Sequence, residues 1–133
     1  MSDMGAGAAL EAAAFAALGA IEGLGVFAAA PLQAAVPYAM VEAGPQSDWS
    51  HKSGEGRELR LAVTLRDKGE TPLRLAQFAV EVEIAMAVLS VGGGWSLVSF
   101  RFLRNRLLPP QRGTPDATWS AVIEWRARML RAA

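Results

Sequence analysis

The sequence predicts an α+β fold, in which a mostly antiparallel β-sheet carries two α-helices packed on one of its faces. Helical and strand patterns are grouped along the chain rather than strictly alternating. Each clear strand pattern has one apolar and one polar side, as a sheet covered on one face requires. The length of 133 residues suits a single domain over residues 1–133. The expected order of elements is helix, short strand, strand, strand, helix, strand, strand.

The first elements of the chain are a helix and two short strands. Residues 7–23 are rich in alanine, the best helix former, and their larger apolar residues recur at three- and four-residue spacing, which indicates a helix. Residues 26–27 and 37–41 are predicted as strands, and the Gly44-Pro45 pair is expected to end the second. A polar loop over residues 46–57 follows.

The clearest strand is predicted at residues 58–66, because apolar and polar side chains alternate there without exception. A helix is expected from Thr71 to about Ser90, with the threonine hydroxyl as its cap and Pro72 at its first position. The core-facing side of the strand is expected to consist of Leu59, Leu61, Val63 and Leu65.

Two further strands are predicted at residues 95–104 and 117–130, joined by a proline-rich connection over residues 105–116. Such a long connection is unusual in a hairpin and often has a function. In the last strand, Trp119 and Trp125 fall at core-facing positions. The apolar side of the preceding strand is expected to consist of Val98, Phe100 and Phe102.

The composition limits the classes of function. The chain has no cysteine, which fits a reducing compartment and excludes thiol chemistry and cysteine-bound zinc. The longest uncharged stretch, residues 23–41, contains two prolines and few large aliphatic residues, so it does not predict a membrane span. The N-terminus lacks the basic segment of a signal peptide. A soluble protein made in the cytoplasm is expected, with no membrane partner.

The charge is unevenly distributed along the chain. Residues 1–100 contain six basic and eleven acidic residues, whereas residues 101–133 contain seven basic and two acidic residues. This asymmetry favours contact between copies of the chain or with a polyanion, although the arginines could also be solvated strand ends. Candidate contacts between subunits or with DNA are Arg101, Arg104, Arg106 and Arg112.

No constellation of catalytic residues is evident. His51 is the only histidine, so a histidine metal cluster or a Ser-His-Asp triad has little to build on. Glu81 and Glu83 lie two positions apart, where helical side chains do not meet. The triple glycine at residues 92–94 follows a helix instead of opening one, unlike a phosphate-binding loop. The sequence therefore predicts a non-enzymatic protein without a cofactor or a metal.

The polar loop contains a tryptophan that no periodic pattern buries. Tryptophan is enriched at the energetic centres of protein interfaces, so Trp49 is either a contact residue or a lid over an open edge of the core. The loop as a whole is predicted to be an interaction surface formed by Asp48, Trp49, His51, Lys52 and Arg57.

Several segments in order resemble the small tail-completion, or tail-terminator, proteins of long-tailed phages, prophages and gene transfer agents (the DUF3168-like proteins). The most specific is DWSHKSGEGRELRLAVTL, which matches the Asp-Trp-Ser and Gly-x-Gly loop of that family and its alternating strand. The segments VPYAMVEAG, PLRLAQFAVEVEIAMAVL and ATWSAVIEWRARM also resemble family elements. The resemblance extends from about Ala9 to Leu130.

The resemblance implies a structural role. Such proteins form rings, expected to be hexameric, that cap the tail tube, stop its growth and meet the connector or stopper protein of the head, while DNA passes non-specifically through the lumen. It also implies that the chain resides in a virion-like particle assembled in the bacterial cytoplasm. Other neck or tail components of the same fold, such as a connector stopper or a tube protein, and a small DNA-binding module remain alternatives.

Overall fold

Two layers make up the structure, a computed structural model that describes residues 4–29, 35–111 and 117–132. One layer is a five-stranded sheet and the other consists of two helices on one of its faces, which confirms the predicted α+β class. The helices are α1 (Ala6–Leu18) and α2 (Leu73–Ala87), and the strands are β1 (Gly25–Phe27), β2 (Tyr38–Asp48), β3 (Gly56–Lys68), β4 (Trp95–Leu108) and β5 (Thr118–Arg131).

The strand order is β1-β2-β3-β5-β4, with β3 in the centre. All neighbouring strands are antiparallel except β1, which pairs in parallel with β2. Strand β3 pairs with β5 over its whole length, from Gly56 opposite Leu130 to Lys68 opposite Thr118. Because the register is uninterrupted, every odd-numbered residue of β3 shares a face with the odd-numbered residues of β5.

The hydrophobic core lies between the helices and this odd-numbered face. Helix α1 packs on β2 and β3, and α2 packs on β3 and β5. The four predicted core residues of β3 are all buried, as are Ile123 and Trp125 of β5. Each fully buried aliphatic side chain contributes roughly 1.5–3 kcal/mol of transfer free energy. The residues that contribute from the helices include Leu10, Ala14, Leu18, Leu75, Val82 and Met86.

The predicted helix ends were wrong. Helix α1 ends at Leu18, five residues early: the N–H of Gly19 still donates to Phe15 O as in a helix, but the N–H of Ile21 donates to Leu18 O in a tighter turn. Helix α2 begins after Pro72, which is the cap itself, and no side chain caps this helix end. The hydroxyl of Thr71 therefore does not have the capping role that the sequence indicated.

Strand β2 does not end at the Gly44-Pro45 pair, contrary to the prediction. It continues to Asp48 through a bulge, since its register against β3 shifts between Ala43 and Gln46. Gly44 has a φ of +145°, a backbone conformation that residues with a side chain rarely adopt. Residues 46–48 and 56–57 of the predicted loop are therefore paired strand, and residues 49–55 form the turn.

Strand β4 contains two register shifts, between Leu97 and Ser99 and between Phe102 and Arg104. Each shift inserts one residue and reverses the side to which the following residues point. Val98 is consequently 53% exposed, so its predicted core position was wrong, and Leu97 packs against the core in its place.

The aromatic residues near β5 fall partly as predicted. Trp125 is buried, and the ring of Phe100 stacks on its indole with the ring centroids 5.7 Å apart. Phe102 meets the same indole edge-on but is 46% exposed. Trp119 is half-buried against the core, and its Nε1 donates to the carbonyl of Gly69 over 3.0 Å.

Candidate functional site

The face of the sheet opposite the helices, here called the open face, is not covered by any described element. The even-numbered residues of β3 and β5 lie on it, because their odd-numbered neighbours form the core. The register of β4 after its first bulge places Arg101, Arg104 and Arg106 on the same face. Three predicted contact residues therefore share one surface, whereas Arg112 lies outside the described residues.

Basic side chains predominate on the open face. Its carboxylates are those of Glu42, Glu58 and Glu124. Its basic residues come from three strands and are Arg60, Arg66, Lys68, Arg101, Arg104, Arg106, Arg126 and Arg128. The central strand thus contributes to a positive surface that the sequence analysis had assigned to the C-terminal arginines alone. The alternation of residues 58–66 was the signal that could have extended the set.

Three of these arginines stand side by side. Arg60 of β3 is directly opposite Arg126 of β5, and Arg126 is directly opposite Arg101 of β4. These three residues, here called the arginine row, cross three adjacent strands. Directly opposed side chains have Cβ atoms about 4.5–5.5 Å apart, so like charges at such positions destabilise the sheet.

The carboxylates of the open face neutralise only part of this charge. Glu58 Oε1 lies 2.9 Å from Arg128 Nε and 3.8 Å from Arg126 Nε, so two arginines share one carboxylate. Glu124 pairs with Arg104. Among the described residues, no carboxylate pairs with Arg60 or with the two other arginines of β4 on this face, Arg101 and Arg106.

Two guanidinium nitrogens of the open face are buried without a hydrogen-bond partner in the described structure. They are Nε of Arg66 and Nε of Arg126. A buried donor without an acceptor usually costs about 1–3 kcal/mol, so such groups are rare in folded proteins. The face therefore holds both unopposed charge and unused hydrogen-bond donors.

The turn between β2 and β3 is tightly bonded. Trp49 N–H donates to Gly56 O over 2.9 Å, and His51 and Gly54 exchange backbone hydrogen bonds. The Ser50 hydroxyl donates to Asp48 Oδ1 over 2.6 Å. This hydrogen bond, with a smaller contribution from the charge of Arg57, lowers the pKa of Asp48 below its ordinary value.

Trp49 connects this turn to the open face. Its ring lies edge-on to the imidazole of His51, with centroids 4.5 Å apart, and the guanidinium carbon of Arg128 lies 5.6 Å from its centroid. The second contact is a cation–π interaction with an open-face residue. Trp49 does not belong to the hydrophobic core cluster, so the interpretation as a lid over the core is wrong for the described structure.

The five predicted loop residues do not form a single surface. Arg57 is directly opposite Met129, on the helix side of the sheet, and forms a 3.7 Å ion pair with Glu55. Asp48 pairs with Arg57 in the register and shares that side. Lys52 is exposed at the end of the turn. Of the five, Trp49 contacts an open-face residue, Arg128, whereas Asp48 and Arg57 lie on the other side of the sheet.

The helix side has its own exposed apolar surface. A groove of about 470 Å³ lies between α2 and the strands β4 and β5, and its lining includes Met86, Phe102 and Trp125. Asn105 Nδ2 donates to Glu83 Oε2 at 3.3 Å across the same space. Helix α2 also has a stripe of exposed apolar residues opposite its core-facing side, formed by Leu73, Val80 and Ile84 of the helix and by Val88 just after its end.

The described residues give no support to a catalytic assembly. The side chain of His51 makes no hydrogen bond to a serine or a carboxylate in the part of the chain that is described. No group of three potential metal ligands occurs within residues 4–29, 35–111 and 117–132. Within the same ranges, no helix is long and apolar enough to cross a membrane.

Comparison with solved structures identifies a likeness over nearly the whole chain. The chain is similar in structure to a chain from a particle described as the virion of a native gene transfer agent, with a TM-score of 0.72 and 24% sequence identity. The match covers 92% of this chain and 96% of the other. No protein-family model matches the sequence, and no curated protein matches it. The chain therefore shares the fold of a gene transfer agent virion chain over nearly its whole length.

Proposed function

We propose that this protein is a structural component of a phage-like particle, and more specifically the tail terminator of a long-tailed phage or gene transfer agent. The single observation that carries the proposal is the fold shared with a virion chain over 92% of one chain and 96% of the other. Near-complete coverage in both directions supports a common role for the whole domain. Fold alone does not define function, so the sequence resemblance around residues 48–65 provides the finer assignment.

In this role six copies form a ring on the end of the tail tube that is nearer the head. A cyclic ring requires two different, complementary patches on each subunit. The exposed apolar stripe of α2 supplies one candidate patch, because apolar surface of this kind marks sites of protein contact.

The turn between β2 and β3 contacts a neighbouring protein, which is either the tail tube protein or the connector of the head. Trp49 is the apolar anchor, and Lys52 at the exposed end of the turn supplies a charge. The tight hydrogen bonding of the turn supports this role, because a preorganised loop loses little conformational entropy on binding. No catalytic step, cofactor or metal forms part of this function.

The protein acts within the particle, at its neck, after assembly in the bacterial cytoplasm. A connector stopper or a tube protein of the same fold is the second candidate, supported by the same fold match. Gene order separates the two assignments: a terminator gene should lie between the head-connector genes and the major tail genes.

The decisive experiment is deletion of the gene in the bacterium that encodes it, followed by electron microscopy of the particles. Loss of a terminator leaves tails of abnormal length that are not joined to filled capsids, and the wild-type gene supplied in trans restores normal particles. Joined tails of normal length in the deletion strain would refute the proposal. Short or absent tails with intact, free capsids would instead favour the tube protein.

The contribution of the turn is tested by complementation with Trp49→Ala, using Ser53→Ala in the same turn as the matched control. We expect the tryptophan variant to yield several-fold fewer joined particles and the serine variant to behave as wild type. Thermal unfolding of both purified variants establishes that the domain remains folded. Equal yields from the two variants would remove the turn from the interface.

A further inference from the structure

We infer that the open face of the sheet binds the phosphate backbone of duplex DNA, without sequence preference, through the arginine row and the flanking arginines. This inference goes beyond the structural role proposed above, since it concerns a ligand of the isolated domain. The row consists of Arg60, Arg126 and Arg101, directly opposed across three strands. Arg66 and Arg106 extend the same positive surface toward one end of the sheet.

Like charges directly opposite one another in a sheet reduce its stability, whereas threonine or an oppositely charged pair at the same positions would increase it. Neighbouring rows show the favourable alternative, because Glu124 pairs with Arg104 and Glu58 pairs with Arg128. A row of three arginines at the centre of the face is therefore explained better by a ligand than by the stability of the fold.

The open face also contains hydrogen-bond donors without acceptors. Nε of Arg66 and Nε of Arg126 are both buried without an acceptor in the described structure. A nitrogen that is closed to bulk water is equally closed to a ligand from solution, so phosphate could reach these two donors only after the arginine side chains change conformation. A guanidinium presents donors in a planar fork that matches phosphate oxygens, and arginine is favoured over lysine where phosphate is recognised in this way.

The shape and composition of the face favour the duplex backbone over other polyanions. No described helix or turn projects from the centre of the face, so nothing is positioned to enter a groove and read base edges. Binding of single strands usually relies on a platform of aromatic side chains on which bases stack. The described aromatic residues that adjoin this face, Phe27, Tyr38 and Trp49, lie at its margins and not within the arginine row.

The same features predict that binding is weak and sensitive to salt. Three to five phosphate contacts give an affinity governed by counterion release, with a slope of log Kobs against log[salt] of about −0.9 per neutralised phosphate. The carboxylates of Glu58 and Glu124 within the face reduce the affinity further. A surface of this type holds DNA loosely and permits movement along it.

The experiment measures binding of a fluorescent 30-base-pair duplex of mixed sequence by anisotropy, over a series from low to moderate salt. The test variant is Arg60→Gln/Arg101→Gln/Arg126→Gln. We expect it to lose at least about tenfold in affinity at low salt and to reduce the magnitude of the salt slope by roughly 2 to 3, because three phosphate contacts are lost. The matched control is Arg57→Gln, which removes an arginine of the helix side and should change both values little.

Wild-type protein that does not bind the duplex at low salt would overturn the inference, as would equal losses from the triple variant and the control. A change in native mass of the triple variant without a change in DNA affinity would also overturn it, and would assign the face to contact between copies. Circular dichroism and denaturant unfolding verify that the triple variant is folded. Because these measurements use the purified protein, their outcome is independent of the deletion experiment that tests the role in the particle.

Discussion

The two faces of the same sheet differ in chemistry: one is apolar and buried, and the other is basic and exposed to solvent. On the helix side, Leu61 and Ile123 are fully buried and pack in a continuous core. On the open face, one residue away along each strand, arginines face arginines and two donors lack acceptors. The helix side therefore carries the stability of the domain, whereas the open face retains arrangements that reduce it. Surfaces of the second kind are where binding is expected.

The largest expected effect is a difference in stability between variants at two adjacent residues, one on each face of the sheet. Leu61→Ala should reduce the free energy of unfolding by about 2–5 kcal/mol, because it leaves a cavity in the core. Its neighbour variant Arg60→Ala should change stability by no more than about 0.5 kcal/mol, or should stabilise the domain slightly. Urea unfolding of the two purified variants measures both. Similar destabilisation by the two changes would invalidate the contrast between the faces.

An intermediate effect concerns the one buried charged side chain in the described core. Asp67 is 3% exposed, and Arg74 Nε donates to its Oδ2 over 2.6 Å. Asp67→Asn should cost about 1–3 kcal/mol, because it removes the charge from a partly buried hydrogen-bonded pair. The matched control is Glu70→Gln, which changes an exposed carboxylate nearby. Equal stability of the two variants would show that the pair is dispensable.

The same pair predicts a pH dependence. Hydrogen bonds from Arg74 lower the pKa of Asp67 below its ordinary value of 3.8, although burial partly opposes them. The carboxylate therefore stabilises the fold above pH 3.8, and this contribution is lost as the pH falls through the lowered pKa. The free energy of unfolding, measured by denaturation at a series of pH values from 7 to 2, should decrease less steeply for Asp67→Asn than for wild type. Parallel curves would contradict the assignment.

A smaller effect of opposite sign is expected in the arginine row. Arg101→Thr should increase the free energy of unfolding by a few tenths to about 1 kcal/mol, because it relieves like-charge repulsion across the strands. Chemical denaturation at low salt is the appropriate measurement, since salt screens the repulsion. A loss of stability on this substitution would show that the row contributes to the fold and would weaken the case for a ligand.

The smallest effect tests the bulge in β4. Val98→Thr should change stability by less than about 0.5 kcal/mol, since Val98 is 53% exposed. Leu97→Thr should cost clearly more, because Leu97 packs against the core. The reverse order would mean that the bulge is absent in solution and that the alternation predicted from the sequence holds. Thermal unfolding of the pair resolves the two cases.

Much of the architecture could be predicted from local pattern. Alternation over residues 58–66 identified the central strand and its buried face correctly, and alanine-rich and amphipathic periods identified both helices. The pattern failed where an inserted residue interrupts it, at Gly44-Pro45 and at Val98. A bulge leaves no reliable mark in sequence, because it depends on the strand that lies opposite.

The candidate site was predictable only in part. The arginines of β4 were selected from the charge distribution, yet Arg60 and Arg66 were assigned simply to the polar side of a strand. Trp49 was correctly placed outside the periodic core, but its contact with Arg128 joins residues 79 positions apart in the chain (128 − 49). Contacts of this kind arise from strand pairing and cannot be read from neighbouring residues.

Within β3 and β5 the sequence by itself determined which residues face the core and which face the open side, because a period of two fixes the alternation of side chains along an uninterrupted strand. It also determined the excess of arginine near the C-terminus. Only the tertiary structure decided that β5 lies between β3 and β4, and hence that Arg60, Arg126 and Arg101 form a row. The reason is physical: strand order and register are set by packing and pairing over the whole chain, and these bring together charges that are distant in sequence.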